Sequence, residues 1–197
     1  MQLLTVLSKV ATEFFLKRIL YLKKNRNLGG FSNMKKALFA VALSSLLAFG
    51  AAAEGYVSAN DLDQGTIDSA TSLEDGFKIL ASAEKIVIID KAGDNKSNAD
   101  GEKFNQRINL KGAGNLSARC VSFPVKAGET IVVDCETSSK TDTRTIVVVD
   151  SEGNQLFSVA AAPGAVARGK GKAAKAGTYY AYSSKGGMYI YQIDVKK

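Results

Sequence analysis

From Glu54 onward the apolar residues recur with a period of two. The run KFNQRINLK, residues 103–111, sets Phe104, Ile108 and Leu110 on one side and Lys103, Asn105, Arg107, Asn109 and Lys111 on the other. That is the alternation of a half-buried strand. Similar runs rich in Val, Ile, Tyr and Thr alternate with Gly, Asn, Asp and Ser turns along the rest of the chain, and helical spacing is nearly absent. The pattern predicts an all-β fold: a single antiparallel β-sandwich, jelly-roll-like, of about nine strands. Strands are expected at 76–82, 85–90, 103–110, 118–125, 130–136, 144–150, 155–160, 177–183 and 188–195. A further short strand fits 56–58, followed by a turn at 60–62.

The two cysteines test the register of one expected hairpin, CVSFPVKAGETIVVDC at 120–135. A two-residue loop would set Cys120 opposite Cys135 but would scatter the apolar side chains over both faces. A three-residue loop at Lys126-Ala127-Gly128, with Gly128 left-handed, sets Val121 opposite Val133 and Phe123 opposite Ile131. Because a one-residue slip reverses every face, it also sends the cysteines to opposite faces. Free thiols are therefore expected, with Cys135 in the core.

Upstream of Glu54 the pattern changes. Residues 34–53, MKKALFAVALSSLLAFGAAA, have a short basic start, an uncharged apolar run and small residues at Ala51 and Ala53. This is the layout of a secretory signal peptide, with cleavage expected between Ala53 and Glu54 and secretion as the consequence. Residues 1–33 precede it, and Gly29-Gly30 stands where GGAGG-type codons would form a ribosome-binding site ahead of Met34. Translation from Met34 is the expectation, an extended n-region the alternative. The charges at Lys9, Glu13, Lys17 and Arg18 exclude a membrane span over the first twenty residues.

Composition gains meaning only after this division. The whole chain carries a formal charge of +7, which alone would suggest nucleic acid. Residues 1–53, however, hold eight Lys or Arg and one carboxylate, leaving eighteen of each sign in 54–197. The working chain is neutral, so no nucleic-acid partner is expected. Its charge is still segregated: 54–102 holds four Lys against eleven carboxylates, and 103–197 holds fourteen basic residues against seven acidic ones. The expected division is thus an acidic N-terminal segment at 54–75 and a β-sandwich domain at 76–197, with no membrane span in either.

Candidate chemistry is narrowed by the absence of histidine from the sequence. Catalytic triads and Cys-His pairs that use it are excluded, as are His-based zinc sites. DKAGDNKSNADGE, residues 90–102, could offer oxygen ligands to calcium through Asp94, Asn98, Asp100 and Glu102. The spacing does not fit an EF-hand, and a solvated loop is favoured, so no cofactor is expected. RGKGKAAK, residues 168–175, lacks the aromatics that single-stranded nucleic-acid binding would need and reads as a mobile basic loop. Five of the seven tyrosines lie in GTYYAYSSKGGMYIYQIDV, residues 177–195; core packing is the first reading for each, sugar stacking the second. The polar side of 103–111 is either a solvated face or a surface for an anionic, hydroxyl-rich ligand.

Four stretches in order, FNQRINLKGAG, RCVSFPVKAGETIVVDCETSS, RTIVVVDSEGNQL and AGTYYAYSSKGGMYIYQIDV, resemble the β-sandwich modules appended to bacterial pectate lyases, the pectin-binding carbohydrate-binding modules of family seventy-seven. The resemblance covers about 76–195. It implies a non-catalytic sandwich that binds homogalacturonan largely through lysines, with Lys111 and Lys185 the nearest matches by motif position. Arg107, Arg119 and Arg144 match recurring arginines. With Lys103 and Arg107 from the strand face, the candidate ligand-binding residues are Lys103, Arg107, Lys111 and Lys185. The function expected is secreted, non-enzymatic binding of an acidic polysaccharide such as pectin. The alternative is a structural or adhesive surface protein that uses the sandwich for protein contact or self-association.

Overall fold

The computed structural model describes residues 54–197. The signal peptide, the Met34 start and the cleavage site lie outside the described residues. The strands are β1 (Gly55–Ser58), β2 (Gly65–Ile67), β3 (Thr71–Ser72), β4 (Lys78–Leu80), β5 (Val87–Ser97), β6 (Lys103–Asn109) and β7 (Cys120–Val125), then β8 (Thr130–Thr137), β9 (Arg144–Asp150), β10 (Gln155–Ala161), β11 (Ala167–Lys172), β12 (Gly177–Ser183) and β13 (Met188–Lys196). They form two antiparallel sheets. Sheet A runs β11-β8-β13-β6-β5-β2, with β1 also paired to β13; sheet B runs β10-β9-β12-β7-β4-β3.

The inward side chains meet between the sheets. Ile108, Ile131, Val133, Ile190 and Ile193 come from sheet A, and Ile79, Val121, Phe123, Ile146 and Tyr179 from sheet B. Phe77 and Phe123 stack at 5.3 Å. Each such side chain, fully buried, contributes about 1.5–3 kcal/mol.

The expected hairpin at 120–135 is not one. β7 pairs with β12 and β4 in sheet B, whereas β8 pairs with β11 and β13 in sheet A. The turn at Lys126–Gly128 is an arch that carries the chain between sheets, and Gly128 is left-handed there, φ 88°. The cysteines are free and buried, with Cys135 in the core, but for a different reason. Val121 and Phe123 face Ile131 and Val133 across the core, and Cys120, which alternates with Val121 along β7, points away from it.

The basic segment at 168–175 is also corrected, because its first half is edge strand β11. Gly169 and Gly171 point inward, where a Cβ at either position would run into the Val159 and Phe157 side chains of β10. Arg168, Lys170 and Lys172 point out. Glycine occupies the slots that an apolar residue would mark elsewhere, so the alternation was hidden.

The distal half of the β5–β6 hairpin lies against the outer side of sheet A. Asn98 Nδ2 donates to Asp134 Oδ2 at 3.1 Å, Asp100 pairs with Arg168, and Lys96 Nζ sits 2.7 Å from Glu136 Oε1. Phe104 stacks on Tyr191 at 4.8 Å, and the Tyr191 hydroxyl donates to Glu136 Oε2 at 2.6 Å. The stretch 90–102 is therefore strand and a pinned tip, not a solvated loop.

Candidate functional site

β5 and β6 pair regularly from Ile88–Asn109 to Lys91–Gln106, and again at Lys96–Phe104 and Ser97–Lys103. Between these registers Ala92–Asn95 lie opposite Asn105 alone. Asn95 takes up the excess with φ 57°, a left-handed conformation that Asn tolerates better than most residues. The displaced residues rise as one wall of an open groove.

The Ala59–Asp61 turn supplies the other wall. Asn60 Nδ2 donates to the Lys103 carbonyl at 2.9 Å, and Asn60 Oδ1 accepts from the amides of Asn105 (2.8 Å) and Gln106 (3.1 Å). Gln106 Nε2 in turn donates to the carbonyls of Asn60 and Leu62, at 3.1 and 3.0 Å. These bonds satisfy the outer edge of β6 with a side chain instead of a strand. The groove measures about 760 Å³, and Gln64, Lys91, Asp94, Asn95, Lys103 and Asn105 are among the residues lining it.

Its electrostatics follow from what is already paired. Lys96 also lines the groove, but Glu136 neutralises it. Lys91, Lys103 and Asn105 are exposed. Gln106 Oε1 is buried without a hydrogen-bond partner. Two ammonium groups, one carboxylate and several amides suit a hydroxyl-rich, negatively charged ligand. The groove holds no pair of carboxylates for acid–base work.

The structure separates the four candidate residues. Lys103 is at the groove. Arg107 is not available in the same way: its Nε lies 2.5 Å from Asp90 Oδ1, and its guanidinium sits 3.8 Å over the Tyr189 ring. Burial opposes the Arg107 charge, but the Asp90 hydrogen bond, together with the electrostatic attraction of Tyr189, Asp90 and Tyr191, outweighs it and holds the guanidinium above its ordinary range. The carboxylate missing from 103–111 thus comes from the neighbouring strand, and Asp90 also accepts from Asn109 Nδ2 at 2.9 Å.

Lys111 follows β6 with φ 60° and is exposed. It adjoins the turn that carries exposed Lys185, since a Cβ on Gly187 would lie 3.6 Å from the Lys111 carbonyl carbon. Lys111 and Lys185 thus share one end of the sandwich, and Lys103 lies eight residues back, roughly 25 Å along an extended strand. The other recurring arginines are tied to the protein. Arg144 Nη1 donates to Ser138 Oγ (3.2 Å) and the Gly187 carbonyl (3.1 Å), and Arg119 Nε donates to the Ile86 carbonyl at 3.4 Å.

The calcium candidates do not converge. Asn98 is 6% exposed and spends its side chain on Asp134, Glu102 and the amides of Asp100 and Glu102. Asp100 faces Arg168, and Asp94 lines the groove. Among the described residues no group of three His, Cys, Asp or Glu gathers as a metal site, and no helix is long and apolar enough to cross a membrane. Sequence reasoning missed Lys91, Asn95 and the role of Asn60. The trace of Lys91 and Asn95 was the turn-forming DKAGDN, whose position inside a strand was not legible, and that of Asn60 was the turn expected at 60–62.

No protein-family model matches the chain, and no curated protein matches it. Among solved structures, it is similar to the CBM22-1 xylan-binding domain of Xyn10C from Paenibacillus barcinonensis, at 13% identity, 74% of this chain, 95% of that one and a TM-score of 0.46. It is also similar to the K1 cleaved adhesin domain of Lys-gingipain from Porphyromonas gingivalis, at 11% identity, 73% and 98% coverage and a TM-score of 0.41. A third is the C-terminal CBM6 of a marine laminarinase from Zobellia galactanivorans, at 12% identity, 74% and 100% coverage and a TM-score of 0.34.

Proposed function

We propose that the chain is a secreted, non-catalytic carbohydrate-binding protein for an acidic polysaccharide such as homogalacturonan, and that the β5–β6 groove is its binding site. The observation that carries this reading is the placement of Lys91 and Lys103, which form no ion pair among the described residues, around exposed amides in an open groove of about 760 Å³. Ammonium groups pair with uronate carboxylates, and the amides of Asn95, Asn105 and Gln64 can donate to and accept from sugar hydroxyls.

Exposed ion pairs contribute about 0.2–1 kcal/mol each, so a single site binds weakly, with a dissociation constant in the micromolar to millimolar range. Retention on a polymer then comes from repeated engagement.

Retardation in native gels containing polygalacturonate, methyl-esterified pectin or a neutral glucan tests the reading. Retardation by polygalacturonate, weakened by salt and lost in Lys91→Ala/Lys103→Ala, is the expected result. No retardation in any gel, together with sedimentation that depends on protein concentration, would instead favour a self-associating surface protein.

A further inference from the structure

Sheet B carries a second groove, on the outward face of β12, β7 and β4. Tyr180 lies opposite Ser122 across the β12–β7 ladder, and Lys78 lies opposite the same Ser122 across β7–β4. Ile79, Val121, Phe123, Tyr179 and Ala181 belong to the core, so by strand alternation Lys78, Ser122, Pro124, Thr178 and Tyr180 point outward. The middle strand presents short side chains, Ser122 and Pro124, between an aromatic wall and a cationic one. The result is a trough of about 330 Å³, whose walls stand two inter-strand spacings apart, about 9.5 Å.

Its chemistry selects one kind of occupant. Lys78 is the single charged residue lining the trough, is exposed and forms no ion pair among the described residues. Tyr180 is half-buried and Thr178 exposed, so a ring surface and a hydroxyl flank the same space. A flat ring with an apolar face, hydroxyls at its edge and a negative charge is complementary to that set.

We infer that this trough is a second binding site for a uronate-containing sugar chain, with Tyr180 lying under a sugar ring and Lys78 pairing with a carboxylate across Ser122. The ligand class rests on the reading proposed for the first groove. The trough lies on sheet B and the first groove on the β5–β6 hairpin of sheet A, so each can hold its own stretch of polymer. One molecule can then tie two polysaccharide strands together.

Calorimetric titration of the full chain with a galacturonate tetramer, and turbidity on mixing with polygalacturonate, test the inference. The unaltered protein should take up two tetramers and produce turbidity. Tyr180→Ala or Lys78→Ala should take up one, produce no turbidity, and still be retarded in a polygalacturonate gel through Lys91 and Lys103. Tyr180→Phe, which keeps the ring, should behave as the unaltered protein, and an unchanged unfolding midpoint for Tyr180→Ala separates lost binding from lost structure. Uptake of one tetramer by the unaltered protein, abolished by Lys91→Ala/Lys103→Ala alone, overturns the second site and leaves the first standing. Two tetramers and full turbidity in both sheet B variants also overturn it, and no binding by the unaltered protein overturns both sites.

Discussion

Arg168 of β11 grips Asp134 of β8 with two hydrogen bonds, from Nε and from Nη2, both 2.7 Å long. Asp134 is 1% exposed, so the fork is what gives this buried carboxylate a cationic partner on the outer side of sheet A. Asn98 adds a third donor from the hairpin tip. The pair therefore fastens an edge strand to its sheet, and the same arginine reaches Asp100 of the tip.

Removing that guanidinium leaves the carboxylate buried and unpaired. Breaking a buried pair from one side costs about 3–5 kcal/mol; with Arg168 partly exposed, Arg168→Ala should sit near the lower end, read as a shift in the urea midpoint. Arg168→Ala/Asp134→Asn should lose clearly less than the two single changes added together. Strict additivity would show that the pair is not coupled.

The inward glycines of β11 make a sharper test of its strand character. Gly169→Ala and Gly171→Ala each push a methyl into Val159 or Phe157, and overpacking of this kind costs about 1–3 kcal/mol. Lys170→Ala, on the exposed side, should stay within about 0.5 kcal/mol. If all three changes were equally silent in thermal unfolding, the segment would be a loop.

Burial pushes the Cys120 and Cys135 thiols from 9.0 up to about 12. The unfolded chain then releases these protons near pH 9 while the folded chain keeps them, so the folded state binds more protons between about pH 9 and 12 and its stability falls across that window. The urea midpoint should drop from pH 8.5 to 10.5, and less steeply in Cys120→Ala. At pH 8 neither thiol should react with an aromatic disulfide until denaturant is added, after which two should. Rapid labelling of the folded chain would contradict their burial.

The three cations of 103–111 should part company when changed singly. Lys103→Ala should weaken retardation by polygalacturonate with stability unchanged within about 0.5 kcal/mol. Arg107→Ala should cost about 1–2 kcal/mol, because it leaves the half-buried Asp90 unpaired and uncovers Tyr189. Lys111→Gly should be neutral or slightly stabilising, since glycine relieves the φ of 60°, and should leave groove binding intact. Equal loss of binding in all three would return the site to the whole strand face.

Strands whose apolar residues alternate were legible to within a residue or two, except β5, which runs on to Ser97, well past the end expected at residue 90. β9 and β12 occupy Arg144–Asp150 and Gly177–Ser183, the spans that their Val and Tyr patterns predict. β2 and β3 are too short and polar to announce themselves, and β11 hides behind its glycines. Alternation reports which side of a strand is buried, not which strand lies beside it, which is why Cys120–Cys135 read as a hairpin. The same limit governs the site. Lys103 could be recognised as outward-facing, but the Asp90 that claims Arg107 is seventeen residues away, and the groove exists only because four residues of β5 oppose one of β6.

The arch at Lys126–Gly128 divides the chain into halves that interlock. The first half supplies β1 and β6-β5-β2 to sheet A and β7-β4-β3 to sheet B, and the second supplies β11-β8-β13 and β10-β9-β12. Each sheet has one seam where the blocks meet: β6 and β1 together against β13 in sheet A, and β12 against β7 in sheet B. A nascent chain that has emerged only as far as the arch therefore exposes two raw strand edges and half a core, which no local pairing can cover. Closure waits for the last two strands, so maturation is committed late in synthesis, and a break at the arch would yield two fragments competent to fold only in each other's presence.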